Sequence, residues 1–168
     1  MKKSKKTISL AEAKQMFFRC EGSIMGIDRD FGDAYRKCRV PKELENQWRE
    51  ELINSYKEKI PDLSGQKQTN TVMALSNLLE PDEGTQYLVA FLKTTELDSF
   101  SRLVLCEWLK DLLQRVKGDQ SLFIDAIRDN KKILMNSPIT IDSSYIESPA
   151  MVGYDFSESY QKKRIQDL

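Results

Sequence analysis

At 168 residues the chain is long enough for one domain with a core of its own, and it contains no histidine. That absence excludes Ser-His-Asp and Cys-His catalysis, H-E-x-x-H zinc sites and Cys2His2 fingers. The 26 Lys and Arg balance 26 Asp and Glu, which removes the broad basic field of a non-specific nucleic-acid binder, and 40% apolar with 31% charged residues fits neither a disordered nor a membrane chain.

The opening Met1-Lys2-Lys3-Ser4-Lys5-Lys6 is basic, and residues 1–8 read as a disordered, solvated terminus. Glu12, Lys14 and Gln15 interrupt the place where a signal peptide would carry its apolar run. Cys20, Cys38 and Cys106 are odd in number and far apart, so neither a disulfide framework nor a C-x-x-C site is suggested, and a cytoplasmic setting is expected.

Ser9 and Glu12 have capping-box spacing and predict a helix over Leu10–Arg19. Gly22 and Gly26 then interrupt the pattern, with a shorter helix expected over 30–38. Pro41 sits at an N1 position, Glu43 and Glu45 favour the helix start, and Lys57 and Lys59 favour its end before Pro61. Leu44, Trp48, Leu52, Ile53, Tyr56 and Ile60 give this helix one apolar side. Residues 62–69, with Ser64 and Gly65, have the composition of a loop and mark a possible internal boundary.

Helices are predicted near 71–79, 84–93, 99–117 and 120–136, punctuated by Pro81, Asp98, Gly118 with Asp119, and Pro138. In the third of these, Leu105, Cys106, Trp108, Leu109, Leu112, Leu113 and Val116 form one arc, with Leu103 and Val104 outside it. Either this helix is covered on more than one side, or the pair is an exposed apolar spot for a partner. Ile139-Thr140-Ile141-Asp142 alternates like a short strand or extended strap, Ser148-Pro149 and Gly153 keep the next stretch irregular, and a terminal helix follows from Ser157. The expected fold is all-α: an irregular antiparallel bundle or a short HEAT- or armadillo-like α-solenoid over 9–138, with an extended tail over 139–168.

No Walker or G-x-G-x-x-G pattern is present, and the one E-x-x-E, Glu80-Pro81-Asp82-Glu83, lies in a turn. No catalytic, cofactor-binding or metal-ligating residue is therefore singled out, and no cofactor is expected. A carboxylate hydrolase using Mg²⁺ and a protein touching nucleic acid through its basic terminus stand as the alternatives to a protein that works by contact. For contact, three places stand out: Arg29-Asp30 with Trp48 beneath, the pair Leu103 and Val104, and the mixed apolar and aromatic run containing Tyr154 and Phe156, which either straps onto its own core or docks elsewhere.

Over about the first fifty residues, Met16-Phe17-Phe18, Gly22-Ser23, Met25, Arg29-Asp30, Tyr35, Val40-Pro41-Lys42-Glu43-Leu44-Glu45 and Trp48 form a pattern. It resembles a group of small uncharacterised bacterial helical proteins, some of them immunity-like. The resemblance implies a small helical bacterial protein and carries no activity with it; the expectation of a bacterial cytoplasmic protein that binds another protein, as an immunity or adaptor protein, rests on the missing chemistry beside plentiful amphipathic helices and aromatic positions.

Overall fold

The computed structural model describes residues 8–168; the basic stretch expected over 1–8 falls almost wholly on residues 1–7, outside them. The described residues are all-α, with ten α-helices, two short 3₁₀ turns and no strand. They divide into two compact units, one ending at Glu58 and the other beginning at Lys59.

In the first unit, α1 spans Leu10–Arg19 and α2 spans Ile24–Phe31, followed by α3 (Ala34–Cys38) and α4 (Lys42–Lys59). The Ser9 backbone N–H donates to Glu12 at 2.7 Å and the Glu12 N–H donates to Ser9 Oγ at 3.2 Å, so the capping box forms as its spacing predicts. The single helix expected over 30–38 is instead two. Ser23 Oγ accepts from the Gly26 N–H at 3.1 Å and starts α2 early, which puts Gly26 inside a helix, while Gly32 at φ +57° ends it. Phe17 and Trp48 pack with ring centroids 5.8 Å apart, among Ala13, Ile27, Tyr35, Leu52 and Ile53.

The second unit opens with a 3₁₀ turn, Ile60–Asp62, then α5 (Gly65–Leu78), α6 (Pro81–Thr94), α7 (Ser99–Leu113) and α8 (Ser121–Met135). The loop expected over 62–69 is a correction, because α5 already begins at Gly65. Its polar start is satisfied by distant partners: the Gln66 N–H donates to Ser144 Oγ at 2.9 Å, and buried Thr69 accepts from the Tyr145 hydroxyl at 2.7 Å. α5 packs on α6 and α7, α6 on α7 and α8, and α7 on α8. That is the order of two helical hairpins stacked on one another. Leu75, Leu88, Leu105, Cys106 and Leu109 are completely buried at its centre.

The tail crosses this stack as a strap. The segment 139–142 makes no strand; instead the Phe100 N–H donates to the Thr140 carbonyl at 3.0 Å, and the Ser99 N–H to Thr140 Oγ1 at 2.9 Å. These bonds and Asp98, which accepts from the Ser101 N–H at 3.0 Å, satisfy the first amides of α7. A short helix, α9 (Ser143–Ile146), a 3₁₀ turn, Pro149–Met151, and α10 (Glu158–Asp167) complete the chain. Ile165 of α10 packs on Leu103 and Leu134, with Ile139 and Leu168 against them.

Candidate protein-interaction surface

The contact residues read from the sequence fall into different surroundings. Trp48 is only 3% exposed and belongs to the core of the first unit. Arg29 and Asp30 are both exposed and pair with each other, Nε donating to Oδ1 at 2.8 Å; they neither cap a helix nor form a bidentate clamp. They line a shallow hollow with Cys20, whose sulfur lies 3.9 Å from Asp30 Oδ2. Burial and the neighbouring Asp30 charge push the Cys20 thiol up, away from the thiolate a nucleophile needs.

In the second unit, Leu103 is 1% exposed, so of the two readings the helix covered on more than one side holds, and Leu103 as an exposed contact residue is corrected to a core position. α7 carries apolar residues on several sides because α10 covers the side where Leu103 points; Val104 beside it is half-buried. Tyr154 and Phe156 turn inward over Phe100, with ring centroids at 5.7 and 5.5 Å, and Tyr145 closes the cluster at 4.7 Å. They hold the strap to its own unit, the first of the two outcomes read from their composition.

Among the described residues no three His, Cys, Asp or Glu side chains stand together as a metal site. The acid cluster that a Mg²⁺-dependent hydrolase requires is thus not formed there. Cys106 is buried and its thiol is pushed up to about 12, chiefly by burial, which leaves it protonated and inert. No described helix is long and apolar enough to cross a membrane.

What the sequence did not single out is a groove of about 350 Å³ between α6 and α8, with α7 as its floor. Phe123, Ile127 and Leu134 of α8 point into the core, at the i, i+4, i+11 spacing of one helical face. Their neighbours Leu122 and Ile133, 63% and 48% exposed, stand at the two ends of the groove's α8 edge, with Asp125, Ala126 and Asp129 between them. Val89 and Leu92 of α6 line the facing wall. The signal was present as apolar pairs, Leu122 with Phe123 and Ile133 with Leu134: adjacent helix residues diverge by about 100°, so one face cannot bury both.

Arg102 reaches into the floor of the groove from α7. Its Nη1 donates to the Leu92 carbonyl at 2.9 Å and to Asn130 Oδ1 at 2.6 Å, and Nη2 lies 3.4 Å from the Thr95 carbonyl. Asp125 and Asp129 border the α8 side, each matched by a base three residues on: Arg128 at 2.6 Å and Lys132 at 3.3 Å.

No family model, curated protein or solved structure matches this chain.

Proposed function

We propose that this chain is a non-enzymatic binding protein of a bacterial cytoplasm, of the immunity or adaptor type, which needs no cofactor and whose ligand is another protein. The observation that supports this reading is the pair Leu122 and Ile133, which stand in solvent at the two ends of the α6–α8 groove although the same helix has already buried Phe123, Ile127 and Leu134. Large apolar side chains aligned along a groove are the usual ground for a protein contact.

The test is capture of partners from host lysate by the tagged chain and by a Leu122→Asp, Ile133→Asp variant with an unchanged circular dichroism spectrum. A protein that binds the unaltered chain directly after purification, and is lost with the variant, upholds the reading. Equal capture by both moves the contact away from α8. Recovery of no partner by the unaltered chain removes the reading.

A further inference from the structure

We infer that the α6–α8 groove takes an amphipathic helix of the partner that sets one Asp or Glu side chain against Arg102 and Lys93; this rests on the binding role proposed above.

The charge balance of the groove carries the inference. A guanidinium is permanently charged, and Arg102 is half-buried yet bonded only to neutral acceptors. Those bonds use three of its five N–H groups, which leaves Nε–H and one Nη2–H. Lys93, on the α6 side of the same groove, is exposed, and among the described residues no carboxylate forms an ion pair with either cation. The two acids on the α8 side already face Arg128 and Lys132. Arg102 on the α7 floor and Lys93 on the exposed α6 rim are therefore cations without a carboxylate partner in a groove walled by Val89, Leu92, Leu122 and Ile133, where an incoming carboxylate makes a charge-assisted bond.

The shape selects the carrier. Leu122 and Ile133 are eleven residues apart, so they mark out about 16 Å of α8, with Asp125, Ala126 and Asp129 between them. No strand edge borders the groove that could accept the backbone bonds of an extended peptide. A helix bonds its own backbone and needs only side-chain recognition. Three helical turns span that length, with apolar residues at helical spacing meeting Leu122 and Ile133 at its ends and Val89 and Leu92 on the facing wall, and an acid on the flank facing α6 reaches Arg102.

The probe is a display library of random peptides of about 16 residues, roughly the span of the groove with one turn to spare, selected on the immobilised full chain. Selected peptides are expected to share the helical apolar spacing and one Asp or Glu. Replacing that acid by its amide is expected to weaken binding about tenfold to the unaltered chain, and less than about twofold to an Arg102→Gln chain, since the two changes remove one shared interaction. Lys93→Gln, at an exposed position that leaves the floor intact, is expected to reduce the acid's advantage in part. Consensus peptides without an acid, or an equal amide penalty on both chains, overturn this inference. If such peptides still lose binding on Leu122→Asp, the groove remains a docking site and only the carboxylate falls. If no peptide is selected, or none responds to Leu122→Asp, both fall.

Discussion

Arg164 of α10 holds Glu107 of α7 by both carboxylate oxygens, Nε donating to Oε1 at 2.9 Å and Nη2 donating to Oε2. The same guanidinium donates from Nη1 to Gln161 Oε1 at 2.8 Å and to the Tyr154 hydroxyl, and lies over the Phe100 ring at 5.4 Å from its centroid. One side chain thus joins the terminal helix, the aromatic strap and α7. A planar fork with bidentate partners does this, and lysine would not.

Glu107→Gln is expected to lower stability by about 1–2 kcal/mol, less than a fully buried pair because Glu107 retains 36% of its exposure. Urea unfolding measures the loss. Amide exchange should quicken first in α10, with the core of α7 little changed. Uniform quickening throughout the second unit would show that the strap does not open separately.

Burial of Cys106 ties a part of this fold's stability to alkaline pH. Its thiol rises from an ordinary 9.0 to about 12, chiefly through loss of water, against the opposing charge of Arg102. A raised folded pKa means the folded state holds its proton longer, so this stability is intact below pH 9 and is lost as pH climbs from 9 towards 12. Cys106→Ala is expected to flatten the decline of stability over that window, while costing some packing at neutral pH. Denaturant titrations at pH 7, 9 and 10.5 compare the two chains. In native protein at pH 8, thiol reagents should modify the half-buried Cys20 and Cys38 well before Cys106; equal rates for all three would contradict the protected core thiol.

Local chemistry written into neighbouring residues was legible in the sequence. Ser9 and Glu12 form the box their spacing demands, and α1 has the bounds that box predicts. Helices α6, α7 and α8 lie within a few residues of where Pro81, Asp98 and Gly118 placed them. The helix expected over 30–38 failed on local chemistry, the Ser23 cap and Gly32 at φ +57°, whereas two other misreadings turn on partners that local pattern cannot register. Residues 65–69 looked like loop because Gln66, Gln68 and Thr69 are polar, yet Ser144, the Ile60 carbonyl and Tyr145 satisfy them. Whether Leu103 was covered or exposed stayed open because Ile165, 62 positions later, is what covers it. Arg102 was passed over because its interest lies in a missing counter-charge, which only the assembled groove reveals.

Gly84 of α6 lies directly against the backbone of α5. A Cβ added there would stand 2.2 Å from the Ser76 carbonyl oxygen of α5, a backbone atom that can yield only by parting α5 from α6. Alanine is otherwise the better helix former by about 1 kcal/mol, so the contact and the propensity oppose each other. The clash should win: Gly84→Ala is expected to destabilise the protein by about 2–3 kcal/mol, within the usual range for overpacking. A melting temperature equal to or above that of the unaltered chain would show that the hairpin loosens there at little cost.

Leu103 and Leu122 are the same residue type on adjoining helices, and the structure gives them opposite fates. Leu103 is 1% exposed under Ile165 and Leu134, while Leu122 is 63% exposed at the groove edge. Leu103→Ala opens a cavity beneath α10 and is expected to cost about 2–5 kcal/mol, whereas Leu122→Ala should change stability by less than about 0.5 kcal/mol. Binding of a partner or selected peptide should respond in the reverse order. Leu122→Ala weakens it in a fully folded chain, and Leu103→Ala, studied at a temperature where the variant remains folded, leaves it near the original. Chemical denaturation paired with titration calorimetry separates the two effects. A Leu122→Ala chain that binds normally would exclude the α8 edge, while a large loss of stability from that change would mean the edge is already packed in the free protein.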